Sequence, residues 1–337
     1  MTDHHPESPP ETEILIAEEE SVGLACVLSF NANDPSGAGG LSCDATAMAS
    51  VGAHCLPVCT GAYVRDTSSI TDFYPLDEEA VNDQARAVAE DVPVQVIKVG
   101  FAGTPESLAT IAALADDYDG VPVVAYMPNL SWWEDDKIDA YLDAFRELLL
   151  PQTSVLVGHH STLRRWLLPE WTGERNPGPR DIAKAAAELG VPYTLVTGLP
   201  LPDQHIDNAL ASPETVMAHE KFERIEAVFA GAGDTLTAAL AALLAWLVAM
   251  VSRQAGHFFF EPKGYDEINQ ATHEYKEAVK VGYNLQRKVV LMLVWAASPL
   301  LLVVEPGLFG LMEPHTDWPG LVHNVGWMWL WVGVGGL

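Results

Sequence analysis

The stretch GLACVLSFNANDPSGAGGLSCDATAMASVG, Gly23 to Gly52, decides how the rest of the chain is read. Its opening run of apolar residues predicts a buried strand, and its closing part spaces small apolar residues as a helix does. Between them NDPSGAGG, Asn33 to Gly40, is a turn rich in residues that tolerate unusual backbone angles. Strand, glycine turn and helix in direct succession form one βα unit, and the same alternation recurs downstream. CLPVCTGAYV precedes LDEEAVNDQARAVAE, VQVIKVG precedes ESLATIAALADDY, and VPVVAYM precedes DDKIDAYLDAFRELL, with TSVLVG and TLVTG following. This order predicts an α/β fold with a mainly parallel sheet and helices on both faces. Ligands in such sheets gather at the carboxyl ends of strands. The expected site is therefore formed by the loops after residues 30, 62, 100, 127 and 197 and the turn before Asp234.

The 337 residues carry 18 Lys and Arg against 46 Asp and Glu, a formal charge of −28, and the first basic residue is Arg65. A basic face for phosphodiester backbones is absent from this composition, so a nucleic-acid partner is not expected. The imbalance is local. Residues 1–245 hold 12 basic and 38 acidic side chains, residues 246–337 only 6 and 8. The sequence thus predicts three parts: an acidic, disordered leader over 1–20, a domain over 21–245, and an apolar helical tail over 246–337. No charged-then-apolar signal opens the chain, which points to a cytoplasmic domain. Cys26, Cys43, Cys55 and Cys59 have no second Cys or His pair at metal-binding spacing and read as packing residues.

The second glycine element, GAGD at Gly231 to Asp234, opens a long apolar helix. Its backbone N–H groups and the helix dipole would favour an anion. Asp234 there is a candidate general base, with Gly231, Ala232 and Gly233 as the anion hole; the plainer reading of Asp234 is a helix cap. The run over residues 235–251, a second over 289–304, and the Trp-rich end with Trp318, Trp327, Trp329 and Trp331 are each near the length of a membrane span. Arg287 and Lys288 before the second run suit a cytoplasmic flank. Membrane association of the tail is expected, against a buried core helix as the alternative.

DPSGAGG, LSCDATAMASVGAH, VPVVAYM, AAAELGVPYTLVTG and GAGDTLTAALAALLA, in that order and spacing, resemble the hydroxymethylpyrimidine/phosphomethylpyrimidine kinases of the ribokinase superfamily over about residues 23–245. The resemblance implies ATP-dependent phosphorylation of an aminopyrimidine alcohol or its monophosphate, with ATP and Mg. It implies that Asp34, Gly37, Asp44, Arg65 and Phe101 lie by the substrate and that Thr197 and Gly198 lie by the nucleotide. Several positions depart from the family pattern. Asp234 stands where those kinases usually carry Cys, Arg65 where they carry a substrate-reading Gln, and Phe101 where they carry Met. His159 and Thr162 occupy the places of an Asn-x-x-Glu pattern, and Thr197 that of a Lys. A pyridoxal-type kinase is the nearest alternative, since both bind flat heteroaromatic alcohols.

Residues 252–304, centred on GHFFFE, are similar to membrane proteins related to yeast 2-hydroxy fatty acid dioxygenase. That resemblance implies Fe held by His257, Glu261 and His273, with His315 and His323 as further ligands, and a tail acting as a lipid oxygenase. A membrane-anchored protein whose kinase-like half only binds a ligand is a further alternative. A homodimer is kept among the expected assemblies.

Overall fold

A computed structural model describes residues 24–260 other than 119, 174 and 228, with side chains to residue 251. The acidic leader and the tail beyond residue 260, with Glu261, His273, His315 and His323, lie outside the described residues. The side chain of His257 is likewise outside them.

Nine strands form one sheet: β1 (Ala25–Asn33), β2 (Ala53–Arg65), β3 (Ile70–Pro75), β4 (Val96–Val99), β5 (Val123–Met127), β6 (Val155–His159), β7 (Tyr193–Leu201), β8 (His205–Ala211) and β9 (Val216–Glu223). Their spatial order is β3-β2-β1-β4-β5-β6-β7-β8-β9. The six strands from β2 to β7 in that order are mutually parallel. At one end β3 pairs antiparallel with β2; at the other, β8 and β9 extend β7 as antiparallel hairpins. The sequence pattern caught the parallel centre and missed the three antiparallel strands. ITDFYP, HIDNALA and VMAHEKFE mix polar residues among apolar ones, because the outer strands of the sheet have less apolar surface to bury.

Seven helices cover both faces, as expected: α1 (Gly40–Ser50), α2 (Glu78–Ala89), α3 (Pro105–Asp117), α4 (Asp135–Ala144, continued by a wider turn through Leu149), α5 (His160–Leu167), α6 (Pro179–Ala187) and α7 (Ala232–Phe260). Residues alternate between faces along each strand. Leu28, Phe30, Ile97, Val99 and Ala125 face the layer formed by α2 to α6, while Val27, Val96, Val124 and Val157 face α1 and α7. Local chemistry sets the helix starts. Asp77 and Thr104 accept hydrogen bonds from Ala80 N and Ser107 N at the heads of α2 and α3, and Pro105 fits the first turn of α3, where no backbone donor is needed.

The helix α7 runs without interruption through the sequence boundary expected at 245/246. Over Ala232–Val251 it is long and apolar enough to cross a membrane by length and composition, but Ala238, Ala241, Ala242 and Ala245 are buried against α1 and the sheet. Small side chains let the helix approach the strands closely. Within the described residues the apolar run over 235–251 thus packs one face into the core, while Trp246 and Val251 stay exposed. Because Ala242 is 1 % exposed at this contact, Ala242→Leu is expected to destabilise the fold by about 1–3 kcal/mol, read from the denaturant midpoint.

Candidate active site

Under the face covered by α1 and α7, a row of polar side chains replaces the apolar ones. Ser29 and Asn31 follow Val27 on β1, Lys98 follows Val96 on β4, and Tyr126 follows Val124 on β5, all by the two-residue period of a strand. Asp44 reaches them from α1 and Asp234 from the first turn of α7. Lys98 Nζ donates to Asp44 at 2.8 and 2.7 Å and to Asp234 Oδ1 at 3.2 Å. Asn31 Nδ2 donates to both carboxylates, each at 3.0 Å, and Ser29 Oγ donates to Asp44 at 2.8 Å. Lys98 and Asp44 are fully buried; the Asp234 side chain is 17 % exposed. Burial alone would drive the Lys98 ammonium down, but the two carboxylates reverse this and hold it above its ordinary value. Burial pushes the Asp44 carboxyl up, against the pull of Lys98 and with the charge of Asp234 adding to the rise.

The two glycine turns meet at this row. Gly40 N donates to Asp234 Oδ2 at 3.2 Å, and Gly231 approaches Ala38 so closely that an added Cβ would lie 1.6 Å from the Ala38 carbonyl oxygen. Gly231 also has φ +75°, a conformation that favours glycine. The amides of Gly233 and Asp234 find no acceptor among the described residues, as expected at the head of a helix. An added Cβ on Gly233 would lie 2.1 Å from Tyr126 Oη, so that hydroxyl lies against the turn. Burial first and the Asp234 charge second push the Tyr126 phenol well up. Cys43 on α1 touches Thr235 at 2.9 Å, and its thiol is pushed up to about 12 by burial, so it is inert at neutral pH.

Asp234 does not cap α7. The helix begins two residues before it, and its oxygens receive Asn31, Lys98 and Gly40 from other elements. Oδ1 takes two side-chain donors, whereas Oδ2 takes only the backbone Gly40 N–H among the described residues.

The other sequence candidates fall into three groups. In the first turn, Asp34 accepts from Ser36 N, Ser36 Oγ and Gly39 N, which holds the loop in shape, and Arg65 Nη1 adds a 3.1 Å ion pair. Arg65, the last residue of β2, also donates from Nε to its neighbour's carbonyl at Asp66. Gly37 stands at the tip with φ +71° and nothing within 4 Å of an added Cβ. Behind the site, Phe101 is 2 % exposed and surrounded by Tyr63, Phe73, Trp132, Trp133 and Tyr141, with Tyr63 stacked on it at 5.6 Å. Phe101 and Asp44 thus act from behind the surface. Farther along the strand ends, Thr197 Oγ1 donates to Gly158 O and Gly198 N donates to Asn208 Oδ1. His159 lies against Gly198 and accepts at Nδ1 from Ser161 N, starting α5. No cluster of His, Cys, Asp or Glu among the described residues is arranged to hold a metal ion.

Lys98 and Asn31 were not singled out from the sequence. The signal existed: a lone Lys inside VIKVG, in a strand buried on both faces, requires a carboxylate partner.

A family model described as phosphomethylpyrimidine kinase matches residues 34–252. A hydroxymethylpyrimidine/phosphomethylpyrimidine kinase of Streptomyces coelicolor is 26 % identical over 184 residues, which cover 54 % of this chain and 66 % of that protein, just under two thirds of its length. Among solved structures, the ADP complex of Bacillus subtilis pyridoxal kinase is similar at TM-score 0.57 and 21 % identity, over 66 % of this chain and 84 % of that one. Phosphomethylpyrimidine kinase from Clostridium difficile 630 gives TM-score 0.53 and 18 % identity, over 75 % and 99 %. The structural likenesses carry the fold. At the turn itself, Gly231→Ala is expected to force the two glycine loops apart. Circular dichroism should show a lower melting temperature, and ligand-dependent protection of the turn against hydrogen exchange should be lost.

Proposed function

The chain belongs to the phosphomethylpyrimidine kinase family, and on that premise we propose that its α/β domain transfers the terminal phosphoryl group of ATP to the hydroxymethyl group of an aminopyrimidine or its monophosphate. The observation that carries this reading is Asp234, which is anchored through Oδ1 and open at Oδ2 beside the free amides of a helix head. As the alcohol oxygen attacks phosphorus, Oδ2 accepts its proton, the bond to the bridging oxygen of ADP breaks, and a phosphate ester forms. The amides of Gly233 and Asp234, at the positive end of α7, would receive the negative charge carried by the transferring group. Phosphoryl transfer needs little covalent help from a protein, so a positioned carboxylate and an anion-binding turn suffice for the reading.

Magnesium would neutralise phosphate charge when it enters with ATP. Among the described residues there is no carboxylate cage for it: His159 is occupied at the start of α5, and Thr162 is 8 % exposed. No step is therefore assigned to the ion. Thr197 and Gly198 belong to the nucleotide side of this reading by their place where β7 leaves its parallel pairing with β6.

Arg65 bears on which alcohol is taken. Its guanidinium spends two contacts on Asp34 and Asp66, and Asp34 keeps three other donors if Arg65 turns away. Remaining N–H groups can hold a phosphate already on the substrate. This favours the pyrimidine monophosphate over pyridoxal as the accepted alcohol. Attachment of the tail to a membrane, and Fe within it, rest on the sequence of residues 252–337.

Two variants test the reading in a coupled ADP-release assay with hydroxymethylpyrimidine, its phosphate and pyridoxal. Asp234→Asn is expected to lower turnover by about two to four orders of magnitude; near-normal turnover would remove Asp234 from the reaction. Arg65→Gln is expected to lower the activity ratio of the monophosphate to the free alcohol by about tenfold or more. An unchanged ratio would make Arg65 only the partner of Asp34.

A further inference from the structure

The geometry points to Lys98 as a positioning residue for Asp234, one that fixes the carboxylate through Oδ1 and so directs Oδ2 to the reacting hydroxyl. The inference deepens the reading of Asp234 as general base and rests on it. An ammonium has three donors and no acceptor. Two of the Lys98 donors fall on Asp44 at 2.8 and 2.7 Å, which already neutralises that buried carboxylate. The third is directed across the gap between α1 and α7 to Asp234 at 3.2 Å. A lysine needed only as the counterion of Asp44 would not have to reach a second carboxylate on another helix.

Asn31 repeats the bridge with its own amide, donating to Asp44 Oδ2 and Asp234 Oδ1. Two neighbouring strands thus present one donor each to the same oxygen. With Oδ1 saturated, rotation of the carboxylate would break two contacts, and Oδ2 is left with one backbone N–H at 3.2 Å. The frame behind it does not move easily, because Lys98, Asp44 and Ser29 are buried between sheet and helices.

The charged and titratable groups around Asp234 come from every packed element. They are Asp44 and Cys43 on α1, Tyr63 on β2, Lys98 on β4, Tyr126 on β5, and Asp34 with its partner Arg65 at the first turn. Arg65 is held by Asp34, so Lys98 is the cation that contacts Asp234 among the described residues. Removing it takes away one of the two side-chain donors that fix Oδ1.

The test uses the full-length protein. Lys98→Met by itself leaves Asp44 buried and unpaired, so the informative variant is Lys98→Met with Asp44→Asn, which removes both charges of the pair. It is expected to fold, to keep KM for the alcohol, and to lose kcat about 10- to 100-fold at neutral pH. A folded double variant with the parental kcat would reduce Lys98 to the counterion of Asp44 and overturn the inference. A second measurement needs neither turnover nor that variant: the ammonium signal of Lys98 in protein labelled with 15N-lysine, compared between the parent and Asp234→Asn. The signal should shift and its titration move to lower pH when Asp234 is neutralised; an unchanged signal overturns the inference too. If the parent phosphorylates none of the three alcohols while the Lys98 signal responds, the Lys98 contact stands, and both the assigned reaction and the positioning role that rests on it fall.

Discussion

A lysine ammonium in the middle of a β-sheet dictates much of what surrounds it. Lys98 sits on a four-residue strand, VIKV, with every residue buried. Stranding one partner of such a pair typically costs about 3–5 kcal/mol. The fold answers by lowering two helices onto the same spot, each with an aspartate where its neighbours on that face are alanine, cysteine or methionine. The closeness of α1 and α7 to the sheet, the run of alanines along α7 and the pairing of two glycine turns all follow from bringing carboxylates within about 3 Å of one nitrogen.

The sequence disclosed the parts of this arrangement that repeat or that bend the chain. Apolar runs alternating with helical patterns gave the parallel strands β1, β2, β4, β5, β6 and β7, because both sheet faces are covered and each strand must be largely apolar. NDPSGAGG and GAGD could be read because backbone turns at strand ends tolerate few residue types. What stayed hidden were interactions between distant positions. Lys98, Asn31 and Ser29 are ordinary residues until the sheet puts them side by side, and no periodicity announces that Asp44 and Asp234 share a nitrogen. The three antiparallel strands escaped for the opposite reason: their mixed polar composition is that of a loop.

The relation of α7 to its sequence shows that hydropathy and packing report different things. A run of Ala, Leu and Val in TLTAALAALLAWLVAMV satisfies a hydropathy criterion for a membrane span, yet its alanine stripe is the surface that lets Asp234 approach β4. Hydropathy sums over all faces of a helix, whereas packing uses one. The alanines at 238, 241, 242 and 245 recur at helical spacing, and that recurrence marks the face that fits the sheet.

The hydrogen bonds that complete the site differ greatly in chain separation. Lys98 and Asp44 are 54 residues apart, Asn31 and Asp234 are 203, and Gly40 and Asp234 are 194. During synthesis from the N-terminus, at roughly 5–20 residues per second, the buried ion pair can form many seconds before the last helix exists. Until α7 arrives, the polar row of β1 and β4 and the inner face of α1 lack their cover. Asp234 is therefore delivered by the same docking event that closes the core, so the polar row is completed only once the last of the described helices has docked.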